Sequence, residues 1–229
     1  MVSTIIAHPR KRLVASLFGS VVVTVVLRIL QRILPRRVRL SDATISVRKN
    51  VFNPGYFITS KLLAGHLSGR GSLAVDVGTG SGVLAIVLAR RGWEVVGVDV
   101  NPEACACAWL NTVANGVDDR VSVVLGDGLS VFRSRVFDQV VSNPPYLEGR
   151  GESLFEKAIH DPGKRFLVKL LVLSKKVLRP GGSLVVAYSS LGGLGVLEKL
   201  AVKAGWRIRV LGEKVLPWEK IRVYKLTPR

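Results

Sequence analysis

The sequence predicts an α/β fold of the doubly wound kind, a mostly parallel seven-stranded sheet with helices on both faces. Three observations carry that prediction. From about residue 45 short apolar runs alternate with helical patterns, as crossovers between parallel strands require. The runs LAVDV, VVGVDV and DQVVS are rich in β-branched residues and bounded by Gly, Asp or Asn, the pattern of strands buried on both faces. A length of 229 residues suits one such domain and leaves little room for a second.

Taken in order, strands are expected at 72–77, 94–99, 121–125, 137–142, 183–189, 206–211 and 221–226, where apolar runs are shortest and most β-branched. Helices are expected at 82–91, 102–115, 163–178 and 193–204. The second starts at Asn101-Pro102, a capping residue followed by a proline suited to the first turn. The third is stopped by Arg179-Pro180-Gly181-Gly182. No internal repeat or low-complexity linker interrupts the alternation. A hydrophobic fraction of 48% excludes general disorder.

Charge is lopsided. Lysine and arginine number 34 against 16 acids, a net +18, which points to a polyanionic neighbour such as RNA, the ribosome or anionic lipid. Eight of these cations, Arg10, Lys11, Arg12, Arg28, Arg32, Arg36, Arg37 and Arg39, lie in residues 1–40 with no acid among them. The uncharged stretch from Leu13 to Leu27 is shorter than the roughly 20 residues a spanning helix needs. Residues 1–40 therefore form an extension to a domain at 45–229, with three readings: a packed or surface helix, a membrane-associated anchor over 13–34, which is not favoured, or an upstream segment outside the working protein. Cys105 and Cys107 are too close for a routine disulfide and too few for a zinc site. They read as packing residues in a reducing, cytoplasmic compartment. Trp93, Trp109, Trp206 and Trp218 read as anchors of core or helix–sheet contacts.

The chemistry concentrates at strand ends. Asp76-Val77-Gly78-Thr79-Gly80-Ser81-Gly82 joins the first strand to a helix, and glycines at 78, 80 and 82 let the backbone turn tightly and approach a ligand. The spacing is not that of the dinucleotide fingerprint. Asp99 ends the second strand about twenty residues on, where a carboxylate accepts ribose hydroxyls. Asp127, after the third strand, is placed to accept an adenine amino group, with an Asp-Gly turn as the plainer reading. Asn143-Pro144-Pro145-Tyr146 follows the fourth strand. Two prolines fix an extended loop and leave the Pro144 carbonyl outside any helix. The Asn143 side-chain oxygen and that carbonyl can accept both hydrogens of a planar NH₂ group, with the Tyr146 ring against its face. Such a grip suits methylation of an amide or exocyclic amine, where positioning and electrostatics outweigh a strong base. His160-Asp161 reads as a solvated loop pair, with the substrate cleft as the alternative.

Asp76–Gly82, Asp99, Asp127 and Asn143–Tyr146 together resemble a Rossmann-like class I S-adenosylmethionine-dependent methyltransferase, and more narrowly the HemK-related group that methylates the glutamine side chain of translation release factors. The resemblance covers roughly residues 48–228. It implies S-adenosyl-L-methionine as cofactor, held by Asp76, Gly78, Thr79, Gly80, Gly82, Asp99, Asp127, Pro54 and Asn143, with Asn143, Pro144, Pro145 and Tyr146 at the acceptor. Val51-Phe52-Asn53-Pro54, the lack of a bacterial-type N-terminal helical domain and the end Pro217–Leu226 are similar to the archaeal and eukaryotic branch. That branch implies a small zinc-binding activator subunit as partner, and a release factor as protein substrate. Two departures stand out: Gly55-Tyr56-Phe57 where the branch carries acids, and 158–165 where the family carries a Gly-Gly segment. An RNA base methyltransferase acting on adenine N6 or guanine N2 is the alternative that the charge favours, with RNA or ribosome contact through the basic surface. A non-catalytic RNA- or membrane-binding module on the same fold is the second alternative.

Overall fold

The computed structural model describes residues 22, 24–31, 33, 35–40, 42–56, 58–69, 71–149 and 151–229. Much of the stretch 13–34 thus lies outside the described residues. Residues 24–31 form helix α1. A hairpin follows, β1 (Arg37–Leu40) and β2 (Ala43–Ser46), then α2 (Ile58–His66). The alternation proper runs β3 (Leu73–Val77), α3 (Val83–Arg90), β4 (Glu94–Asp99), α4 (Pro102–Ala114), β5 (Val121–Leu125), β6 (Phe137–Ser142), the short α5 (Leu154–Lys157), α6 (Arg165–Val177), β7 (Leu178–Ser189), α7 (Leu194–Lys203), β8 (Trp206–Val215) and β9 (Lys220–Pro228).

The expected seven-stranded sheet is present, ordered β5-β4-β3-β6-β7-β9-β8, with the first four neighbouring pairs parallel and the two pairs that include β9 antiparallel. Strand alternation divides the core into two layers. Ala74, Val95 and Val141 face α2 and α3 with the hairpin behind them, whereas Val75, Val98 and Val140 face α6 and α7. Chain order reverses between β3 and β6, so the crevice at their carboxyl ends is the place where such sheets bind ligands. Ser142 Oγ donates to the Val77 carbonyl at 2.9 Å and ties the two strands together at that edge.

Three differences from expectation have local causes. The β1–β2 hairpin was not expected, because its Arg37 and Arg39 read as part of the basic extension; they are its exposed face, while Leu40, Ala43 and Ile45 are buried. Arg179–Gly182 do not separate a helix from a strand but bulge within β7, where Phe137 pairs with Leu178 and Gln139 already pairs with Ser183. Helix α6 begins at Arg165 rather than at 163, since Gly163 and Lys164 both have positive φ, 63° and 57°. Of the tryptophans, Trp93 and Trp206 are buried as expected, whereas Trp109 and Trp218 are exposed and anchor no core. Cys107 is buried and packs against the hairpin, its Sγ donating to the Ser46 carbonyl at 3.2 Å.

Asp161 and His160 are buried rather than solvated. Both Asp161 oxygens accept amides of the first turn of α6, Phe166 at 2.8 Å and Leu167 at 3.0 Å. His160 Nε2 meets Thr24 Oγ1 at 2.8 Å, which joins α1 to the segment between α5 and α6. Removing the cap in Asp161→Ala is expected to cost about 2 kcal/mol of stability, read as a lowered denaturation midpoint with unchanged slope.

Candidate active site

The carboxyl ends of β3, β4, β5 and β6 open into one cavity of about 650 Å³. Gly78, Thr79, Gly80, Asp99, Asp127, Pro54 and Asn143 through Tyr146 all line it. Asp76 and Gly82 are not in its wall and support it from behind. The turn after β3 is possible because Gly78, Gly80 and Gly82 have φ of 72°, 56° and 82°. A Cβ on Gly82 would also stand 3.1 Å from the Ala108 backbone. The amides of this turn are spent on the protein itself. Gly78 and Thr79 donate to the Val98 carbonyl at 2.9 and 3.1 Å, and Gly80 donates to Asp99 Oδ2 at 2.9 Å. What the turn offers a ligand is close approach.

Asp76 is fully buried behind the turn, where its Oδ2 accepts from Thr79 Oγ1 at 2.8 Å. Burial pushes its carboxyl up to about 7, with the Thr79 hydroxyl opposing and the nearby Asp99 adding to the rise. Asp99 is pushed up by burial too, against amide hydrogen bonds from Asn101, Gly80 and Val100. Two carboxylates raised at one sheet edge favour a ligand that brings positive charge. The unfolded chain ionises Asp76 near 3.8 and the folded chain near 7, so between these values the folded state holds a proton that the unfolded state has lost. Stability from this group therefore falls as pH rises from about 4 to about 7, by about 4 kcal/mol in all, and is level above. Denaturant titration of the cofactor-free protein at pH 5 and pH 8 is expected to show the part of this loss that falls between them, about 2.5 kcal/mol, and Asp76→Asn to remove it.

Asn143 is fixed by a residue that sequence reading missed. Its Nδ2 donates to Ser60 Oγ of α2 at 3.0 Å, while its Oδ1 is buried and, among the described residues, has no hydrogen-bond partner. An unused acceptor in a cavity wall is the arrangement that an incoming N–H needs. Tyr146 lies edge-on to Tyr188, ring centroids 5.9 Å apart, and its Oη donates to Glu219 Oε1 at 3.3 Å. The Tyr146 carbonyl accepts from the buried Lys164 Nζ at 2.8 Å, and Lys164 pairs with Glu148 at 2.9 Å. Asp127 reaches the cavity only at its rim, exposed and paired with Lys169 of α6, a contact that a ligand can displace at little cost. Gly55 stands where an acid was noted as missing, and a Cβ there would lie 2.7 Å from Val38 of the hairpin, so the fold leaves no room for one. Pro54 lines the cavity from the adjoining 3-10 turn. Ser60, Lys164 and Glu219 carry no local motif; only the sheet edge brings them to the loop.

A Gly-rich turn with an acid at the end of the next strand, an Asn-Pro-Pro-Tyr loop at the switch point and a cavity of nucleoside size define the class of methyltransferase domains that use S-adenosylmethionine. The residues fit that cofactor: the glycine turn admits it closely, Asp99 can accept its ribose hydroxyls, and the raised carboxylates suit its positive charge. The methyltransferase small-domain family model matches residues 42–204, and the chain belongs to that family. Among curated proteins it is 32% identical over 130 residues to a ribosomal RNA small subunit methyltransferase C of Alcanivorax borkumensis, covering 57% of this chain and 36% of that one. It is 37% identical over 126 residues to a release factor glutamine methyltransferase of Chlorobaculum tepidum, covering 48% and 43%. The chain thus spans less than half the length of either. The fold is shared with a Thermus thermophilus 16S rRNA N2 G1207 methyltransferase solved with S-adenosylmethionine and guanosine, at TM-score 0.63 and 24% identity, over 84% of this chain and 50% of that one.

Proposed function

We propose that the protein methylates the side-chain amide nitrogen of a glutamine, in the Gly-Gly-Gln segment of a translation release factor, with S-adenosylmethionine as donor. The observation that carries this reading is the buried Asn143 Oδ1, which has no hydrogen-bond partner among the described residues, beside the rigid Pro144-Pro145 turn. An amide nitrogen is a poor nucleophile because its lone pair is delocalised. Asn143 Oδ1 and the Pro144 carbonyl hold its two hydrogens, Tyr146 covers its plane, and the nitrogen is free to pyramidalise toward the methyl group. The bound cofactor supplies that methyl as an electrophile on positively charged sulfur. The same two acceptors bear the positive charge that develops on nitrogen, and the proton leaves to water.

A protein acceptor is supported by the cavity wall, in which Lys157 is the only lysine or arginine among the described residues. The zinc-binding activator is supported by β5, which among the described residues pairs only with β4, has Leu125 exposed, and adjoins α4 with exposed Trp109 and Val113. The second reading, an RNA base flipped onto Tyr146, is favoured by the +18 charge and by the ribosomal and transfer RNA methyltransferases among the relatives. Cytoplasmic location accords with a release factor as substrate. No helix among the described residues is long and apolar enough to cross a membrane. Incubation with labelled S-adenosylmethionine, release factor and bulk RNA, with and without a small zinc-binding activator, tests the reading. Label on the release factor that disappears with Gln→Ala in its Gly-Gly-Gln segment is expected, and label on RNA alone would overturn it.

A further inference from the structure

We infer that Glu219 is the positioning residue for Tyr146, setting the angle at which the ring meets the acceptor through a Ser189–Glu219–Tyr146 hydrogen-bond chain. The inference rests on Tyr146 being the acceptor's stacking face. Tyr146 is constrained at its near end by Gly192, where even a Cβ would come within 2.6 Å of the Tyr146 Cβ, and at its carbonyl by Lys164. Neither contact fixes where the far end of the ring stands. Tyr188, edge-on at 5.9 Å, limits rotation of the ring, and its hydroxyl end is held by Glu219, whose Oε1 accepts from Tyr146 Oη at 3.3 Å and from the fully buried Ser189 Oγ at 2.5 Å. Burial and the Glu219 charge raise the Tyr146 phenol, so the hydroxyl keeps its proton and donates.

Glu219 comes from the far end of the chain and is itself held. It closes a tight turn in which the Leu216 amide donates to the Glu219 carbonyl at 2.7 Å, and the next amide, Lys220, donates to Ser190 Oγ at 2.9 Å. Glu219 and its neighbour Trp218, 72% exposed, both line the cavity, so the β8–β9 turn contributes to the acceptor side of the site. A carboxylate shared by two hydroxyls resists rotation better than either bond alone.

The test combines tyrosine ring NMR with kinetics. The chain has four tyrosines, so tyrosine-selective ¹³C labelling gives few signals, and Tyr146→Phe identifies that of Tyr146. In Glu219→Ala this signal is expected to move, with that of its edge-on neighbour Tyr188 following at most, while the other two stay, and Glu219→Gln, which keeps an acceptor oxygen, is expected to restore it. A Tyr146 signal that stays in place, or moves only along with the other three, would overturn the inference. In kinetics Glu219→Ala is expected to lower kcat/KM for the acceptor about tenfold with the cofactor KM unchanged, and to add nothing to the loss in Tyr146→Phe. Additive losses, or a cofactor KM that rises in step, would equally overturn it. A wild-type protein that leaves release factor unlabelled defeats the glutamine reading alone, because the NMR arm uses no acceptor.

Discussion

Asn143→Ala is expected to fold, to bind S-adenosylmethionine within a few-fold of wild type, and to transfer methyl groups about a thousand-fold more slowly. The magnitude follows from what is removed. Asn143 Oδ1 is a buried acceptor held in place before any acceptor substrate arrives, because Ser60 Oγ occupies the other end of the amide. Preorganised groups of this kind, aimed at charge that appears only in the transition state, are worth about 3–4 kcal/mol each. Because the loss is confined to the transition state, kcat should fall and the acceptor KM should change little. Isothermal titration with cofactor, beside single-turnover transfer rates, separates the two effects. An equal loss of cofactor affinity would place Asn143 in cofactor binding instead.

Asp99→Ala is expected to weaken cofactor binding about a hundred-fold or more, with the rate at saturating cofactor much less affected. Two effects combine. In the proposed site this carboxylate takes the two ribose hydroxyls, and each charge-assisted bond lost would cost about 1.5–3 kcal/mol. It also holds the Gly80 amide at 2.9 Å and the Asn101 amide at 2.9 Å, so its loss loosens the glycine turn and the start of α4 together. Titration calorimetry reads the change directly. Asp99→Asn, which keeps one oxygen acceptor, should fall between wild type and Asp99→Ala.

Much of this site is legible in the sequence because its parts are local. Strands buried on both faces announce themselves as β-branched runs, and their carboxyl ends carry the glycines, Asp99 and Asn143–Tyr146 on adjacent residues. What holds those parts is not local. Ser60 is 83 residues from Asn143 and Glu219 is 73 from Tyr146, and neither sits in a motif. His160 and Asp161 lie in a stretch whose composition reads as loop, yet burial comes to them from Thr24 of α1 and from the first turn of α6. The β1–β2 hairpin escapes notice for a related reason. Each strand has only four residues, and the exposed arginines of β1 resemble the basic extension before it. Trp218 follows the opposite course, since a tryptophan usually marks a core and this one stands 72% exposed at the cavity.

The central claim is that the Asn143–Tyr146 loop methylates a planar NH₂ group, and the position of the transferred methyl tests it most directly. Fragmentation mass spectrometry of the product formed from labelled S-adenosylmethionine is expected to place the methyl on the glutamine amide nitrogen of the Gly-Gly-Gln segment, and to find none with Asn143→Ala. A methyl on a carbon, an oxygen, a thiol or a lysine amine would contradict the account.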